Sequence, residues 1–245
     1  MSLKSTILLL TTLCIVAQSV LAIRGVDMSL VQCQTATASS WQCLKNSGFD
    51  FGMFSPFHFL TPTAIIEVWN GGYQYNEKIR ECVGNARAAG FKYIDLYAFM
   101  CPNCRNNYPA ANAIDTMLSK LNEQSVEYGQ LWLDIEQCNG CWFDQLSQNA
   151  HYVKNASAAA EEFFSREGKG HKVGIYSSVY EWSQTVGSST NGLSNLQLWY
   201  AHYDDTPSFS DSWAYTFGGW TKPAIKQYYD HGPASCGVDV DVNFY

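Results

Sequence analysis

The residues best suited to chemistry in this chain are two carboxylates closing an apolar run, Leu131-Trp132-Leu133-Asp134-Ile135-Glu136. On a β-strand alternate side chains share a face. Leu131, Leu133 and Ile135 then point to a surrounding layer, while Trp132, Asp134 and Glu136 point inward. Two like charges on one inward face resist double ionisation, so one carboxyl keeps its proton where an isolated one would lose it. A general acid needs that property. Two more acids stand in comparable settings. Asp27 follows Arg24-Gly25-Val26, and in Val238-Asp239-Val240-Asp241-Val242-Asn243-Phe244 the polar Asp239, Asp241 and Asn243 alternate with apolar neighbours. Either acid alone would more often be a cap or turn residue; together with the first pair they make a pocket of four.

Bringing four acids together requires elements that converge. Apolar, β-branched or aromatic runs at 23–28, 49–54, 93–99, 131–135, 173–176, 196–203, 225–229 and 238–244 read as eight strands. Between them lie helical stretches. Residues 76–89 carry Ile79, Val83 and Ala86 on one face with Gly90 behind them; 113–127 carries Ile114, Met117, Leu118 and Leu121; 148–166 is rich in alanine. Strands alternating with helices imply a parallel sheet, and eight strands imply an α/β barrel whose function sits at the C-terminal strand ends. After Val173 little room remains for full helices, so the expected shape is an irregular TIM-like barrel, helix-poor in its final third. A barrel sets its last strand beside its first, which would bring Asp241 to Asp27.

Composition narrows the function. A formal net charge of −7 excludes nucleic acid, whose binding depends on clustered Lys and Arg, and argues against attachment to anionic surfaces by charge. The five histidines show no metal spacing and no Gly-rich phosphate loop is present, so neither metal nor cofactor is expected. Lys4, the apolar stretch 7–20 and Val20-Leu21-Ala22 read as a signal peptide over 1–22, ahead of one domain at 23–245. Eight of the nine cysteines fall in that domain, and an even number in a secreted chain reads as disulfides. Cys101-Pro-Asn-Cys104 and Cys138-Asn-Gly-Cys141 would also suit tetrahedral zinc, but export oxidises thiols. Asn155-Ala156-Ser157 is a glycosylation sequon. Cys138-Asn-Gly-Cys141-Trp142 echoes a papain signature, yet too few residues follow it for the matching histidine.

Six pieces in order carry a resemblance: Gly25-Val26-Asp27-Met28-Ser29, Leu131–Glu136, Gly174-Ile175-Tyr176-Ser177, Leu198-Trp199-Tyr200-Ala201-His202-Tyr203, Gln227-Tyr228 and Val240-Asp241-Val242-Asn243. The chain resembles the family 25 glycoside hydrolases, the Chalaropsis-type lysozymes, and especially their secreted, cysteine-bearing eukaryotic branch. The resemblance implies five βα units followed by three strands, and cleavage of the β-1,4 bond between N-acetylmuramic acid and N-acetylglucosamine. It implies Glu136 as proton donor, with Asp134 ionised beside it to stabilise the oxocarbenium charge or to orient the substrate's acetamido group. Asp27 and Asp241 would complete the pocket, and Tyr97, Tyr176, Trp199, Tyr203 and Gln227 would line the sugar site.

Retention by substrate assistance is the expected outcome, with an acidic pH optimum. The expected setting is a monomer acting on bacterial peptidoglycan outside the cell or in a lysosomal or phagosomal lumen, with no membrane contact once the leader is cleaved. The two CxxC pairs are expected to pair among themselves on neighbouring rim loops, with Cys43 joined to Cys82 and Cys33 to Cys236. A chitinase-like glycosidase also uses Asp-x-Glu on a fourth strand, and a silent sugar-binding protein on the same fold is the reading from another class. Intact carboxylates at all four positions argue against the second.

Overall fold

The computed structural model describes residues 24–49, 63–71 and 74–245; the leader assigned to 1–22 lies outside them. Among the described residues the strands are β1 (Arg24–Met28), β2 (Thr63–Asn70), β3 (Gln74–Tyr75), β4 (Tyr93–Phe99), β5 (Gln130–Asp134), β6 (Lys172–Ser177), β7 (Gln197–Ala201), β8 (Ile225–Tyr229) and β9 (Asp241–Phe244). The helices are α1 (Leu30–Thr35), α2 (Ala38–Leu44), α3 (Ile79–Ala89), α4 (Ala110–Glu123), α5 (Leu146–Arg166) and α6 (Val179–Thr185).

Eight strands close on themselves. β1, β2, β4, β5, β6, β7 and β8 follow one another in parallel, β9 pairs antiparallel with both β8 and β1, and β1–β2 completes the ring. The short β3 extends the end of β2. Five strand-helix units therefore precede three strands. The shortage of helix at the end is as expected: beyond α6 the connections hold only the 3₁₀ turns Ser212–Ala214 and Ala234–Cys236.

The second barrel strand departs from the expectation. The run 49–54 lies, apart from Phe49, outside the described residues, and the place it was to fill belongs to Thr63–Asn70, paired with β1 and β4. This strand is buried along nearly its whole length, as a parallel strand covered on both faces must be.

Local chemistry sets the helix ends. Ser29 caps α1 by accepting from the Gln32 N–H, Thr37 and Ser40 form a reciprocal cap on α2, and Gly90 ends α3 at φ 104°. The α3 face predicted from spacing, Ile79, Val83 and Ala86, is buried against the barrel. Inside the barrel a separate apolar floor forms from Ile65, Trp132, Tyr176, Trp199 and Ile225. Trp132 lies across from Gly174 in the β5–β6 register, and a Cβ at Gly174 would come within 2.5 Å of its indole.

Four disulfides are present. Cys101, Cys104, Cys138 and Cys141 pair among themselves as expected, as Cys101–Cys104 and Cys138–Cys141, but the other four differ from the expectation: the bonds are Cys33–Cys82 and Cys43–Cys236. The reason is the break at Ala36–Thr37, which separates α1 from α2. Cys33 on α1 then meets α3, and Cys43 on α2 meets the turn holding Cys236.

Candidate active site

Nine side chains singled out from sequence line one cavity of about 120 Å³ at the C-terminal mouth of the barrel: Asp27, Tyr97, Asp134, Glu136, Tyr176, Trp199, Tyr203, Gln227 and Asp241. Strand register puts them there. Asp27 on β1 stands directly opposite Asp241 on β9, and Asp134, Tyr176 and Trp199 are successive partners across β5, β6 and β7. Trp199 packs against Tyr176 at 4.2 Å and edge-on to Tyr97 and Trp132, each at 6.0 Å between ring centres. Asp239 does not join the face. It precedes β9 and is exposed, whereas Asn243 is buried inside.

Gln227 organises one side of the cavity. Its Nε2 donates to Asp27 Oδ1 at 2.9 Å and to Asp241 Oδ2 at 3.0 Å. Its Oε1 accepts from the hydroxyls of Tyr176 at 2.5 Å and Tyr203 at 2.6 Å. Asn243 adds a second donor to Asp27 at 2.7 Å and is held in turn by Trp199 Nε1 at 2.8 Å. On the other side Asp134 is 3% exposed, and its Oδ1 has no hydrogen-bond partner.

Burial in a low dielectric disfavours the charged form, and each acid feels it. Burial pushes Asp27 up to about 6, restrained by the amides of Asn243 and Gln227. Burial, then the charges of Glu181 and Asp27, lifts Glu136 to about 7, restrained by a hydrogen bond from Tyr176. Asp241 rises to about 8 through burial and the nearby Asp27. Asp134 is raised well above its ordinary range by burial and by Glu136 and Glu67. Burial thus favours the protonated form of both Glu136 and Asp134, where the resemblance implied a protonated Glu136 beside an ionised Asp134. Of these acids Asp27 is the one that two amide groups hold toward its charged form.

Two acids escaped the sequence reading. Glu67, on the unforeseen β2, is buried; it accepts from the Leu30 N–H at 2.7 Å and from Asn70 and Tyr97. Its signal lies in Thr63-Ala64-Ile65-Ile66-Glu67-Val68-Trp69, where Ile65 and Glu67 share the inner face. Glu181, in the first turn of α6, accepts from the Gln137 N–H at 2.6 Å.

Two groups of potential metal ligands occur among the described residues. In the first, Cys101, Cys104 and Cys141 are disulfide-bonded. In the second, His202, Asp204 and Asp211 surround the fully buried Lys226, whose Nζ lies 2.8 and 2.9 Å from the two carboxylates and supplies the positive charge there.

A family model described as Lysozyme-like protein 1 matches residues 23–228. Counting factor 50 of Dictyostelium discoideum is 47% identical over 207 residues, covering 84% of this chain and 61% of that protein. The chain therefore spans about three fifths of that relative's length. Probable GH family 25 lysozyme 2 of the same organism is 38% identical over 224 residues and is covered to 91%, as is this chain. In fold the chain is similar to a family GH25 lysozyme from Aspergillus fumigatus, with a TM-score of 0.64 over 91% of this chain and 93% of that one, at 17% identity.

Proposed function

The chain belongs to the glycoside hydrolase family 25 lysozymes, in their eukaryotic branch, and from that premise we propose that it hydrolyses the β-1,4 bond between N-acetylmuramic acid and N-acetylglucosamine in bacterial peptidoglycan. The observation that carries the reading is the convergence of Glu136, Asp27, Asp134 and Asp241 on one cavity at the mouth of the barrel. A glycosidic oxygen leaves when it is protonated as its bond to carbon breaks, and the sugar left behind takes on oxocarbenium charge. Glu136 holds a proton through mildly acidic pH and gives it to the leaving oxygen. Asp134, which lines the same cavity, stabilises the positive centre or orients the acetamido group that attacks it. Glu136, now ionised, then takes a proton from the incoming water. Trp199, Tyr97, Tyr176 and Tyr203 supply ring faces and hydroxyls for the sugar.

Four disulfides fit an oxidising setting, and no helix among the described residues is long and apolar enough to cross a membrane. Secretion, or delivery to a digestive lumen, for defence or feeding on bacteria is the role we assign.

The test uses purified protein on a bacterial wall suspension, followed by mass spectrometry of the released fragments. Loss of turbidity with new reducing ends on N-acetylmuramic acid is expected. Reducing ends on N-acetylglucosamine, or cleavage of chitin in preference to walls, would overturn the assignment.

A further inference from the structure

Two loops on the barrel rim are each closed by a disulfide, Cys101–Cys104 after β4 and Cys138–Cys141 after β5. They are also tied to each other. The Asn103 N–H donates to the Cys141 carbonyl at 2.8 Å, and Asn103 Nδ2 donates to the Gly140 carbonyl at 3.1 Å. Between these loops and the start of α5 lies a groove of about 610 Å³, lined among others by Asn103, Asn106, Tyr108, Phe143, Gln148 and His151. That volume is within the range of small-ligand sites. Tyr108 is 62% exposed, and its ring is held edge-on by Phe143 at 5.7 Å.

The lining contains no carboxylate, lysine or arginine, and His151 is its one titratable side chain apart from Tyr108. An exposed aromatic face ringed by carboxamides suits an uncharged, polyhydroxylated ligand with acetamido groups. The C–H face of a sugar could cover the ring while its hydroxyl and acetamido groups paired with Asn103, Asn106 and Gln148. A charged peptide would find no counter-charge there. A second depression of about 580 Å³, lined by Gln137 and Trp142 among others, shares Phe143 with the first. Trp142 Nε1 donates to the Glu136 carbonyl at 2.6 Å, which ties the loop after β5 to the residue at the catalytic strand end.

We infer that the Tyr108 groove is a second saccharide-binding site, which holds a stretch of the glycan strand away from the bond being cut. The inference rests on the glycosidase reading for its ligand class. Rim loops fixed by disulfides bind with little ordering cost, so the site works as a rigid platform that keeps a polymer on the enzyme between cleavages.

Isothermal titration of the full-length Glu136→Gln protein with N-acetylchitohexaose measures binding with cleavage removed. Adding Tyr108→Ala should weaken that binding about tenfold, as for truncation of an aromatic anchor, while Tyr108→Trp should retain it. Gln148→Ala, on a different element, should weaken it in the same direction, and the exposed position of Tyr108 should leave the thermal midpoint unchanged. Equal affinity with and without the Tyr108 ring, no binding of the hexasaccharide by the parent, or displacement from the groove by free stem peptide would each overturn the inference. Hexasaccharide binding through Tyr108 without wall lysis by the wild type would sink the proposed reaction and keep the groove; lysis with Tyr108-independent binding would do the reverse.

Discussion

Replacing Glu136 with Gln should cut activity by orders of magnitude and stabilise the protein, and the second effect depends on pH. Burial raises Glu136 from its ordinary 4.5 to about 7, so folding favours the neutral acid. Below pH 4.5 folded and unfolded chains both hold the proton, and that advantage is fully present. As pH rises the unfolded chain ionises first, and stability drains away until the folded acid also ionises near 7. The interval from 4.5 to about 7 corresponds to about 3 kcal/mol, trimmed to about 2 kcal/mol between pH 5 and 8 by solvent at the open mouth and by protons already lost at pH 5. Gln carries no proton to lose. Its stability advantage over wild type should therefore grow by about 2 kcal/mol across that range, roughly 4–8 °C in thermal midpoint for a chain of this size. Wall lysis should fall by about 10²–10⁴-fold. Thermal unfolding of both proteins at pH 5, 6.5 and 8, with turbidity assays alongside, reads both effects. Parallel midpoints across that range would refute the burial argument, and a well-folded Gln variant that still lyses walls would refute the donor assignment.

Three further outcomes follow from the same geometry. On a soluble oligosaccharide substrate, kcat/KM should trace a bell with an acid limb near 6 from Asp27 and an alkaline limb near 7 from Glu136; a rate still climbing at pH 8 would count against it. Gln227→Leu removes one of two amide donors to Asp27 and the amide donor to Asp241, so the acid limb should move upward and activity should drop about tenfold or more, with an unmoved limb arguing for a merely structural glutamine. Mass mapping without reduction should find Cys33–Cys82 and Cys43–Cys236, and Cys43→Ser should cost about 2–5 kcal/mol in denaturant unfolding; recovery of Cys43–Cys82 peptides would contradict the fold.

What the sequence made legible was periodicity. β5 alternates outward leucines with inward Trp132 and Asp134, and that pattern is enough to aim the carboxylates; β9 likewise aims Asp241 and Asn243. β2 was hidden for the opposite reason. Covered on both faces, Thr63–Val68 is buried without alternation, and an aromatic run closer to β1 matched the expected spacing better. Missing β2 meant missing Glu67. Disulfide partners were illegible because they depend on which way two short helices face after the break at Ala36–Thr37, and no residue spacing encodes that angle. The ion cluster around Lys226 was equally hidden: Tyr200 and Lys226 point outward from strands whose inward neighbours, Trp199 and Gln227, were noticed.

The order in which the acids ionise lies deeper than either kind of pattern. Asp27 and Asp134 are both buried, at 6% and 3% exposure, yet only Asp27 receives side-chain amide donors. Hydrogen bonds to the charged form favour it, so ionisation is easier at Asp27 than at Asp134. In the proposed reaction the positive centre that develops beside Asp134 favours its ionised form, so the molecules that react are those whose Asp134 has already released its proton to solvent. An interaction that strengthens as the transition state forms speeds the chemical step, whereas one already present in the ground state only tightens binding.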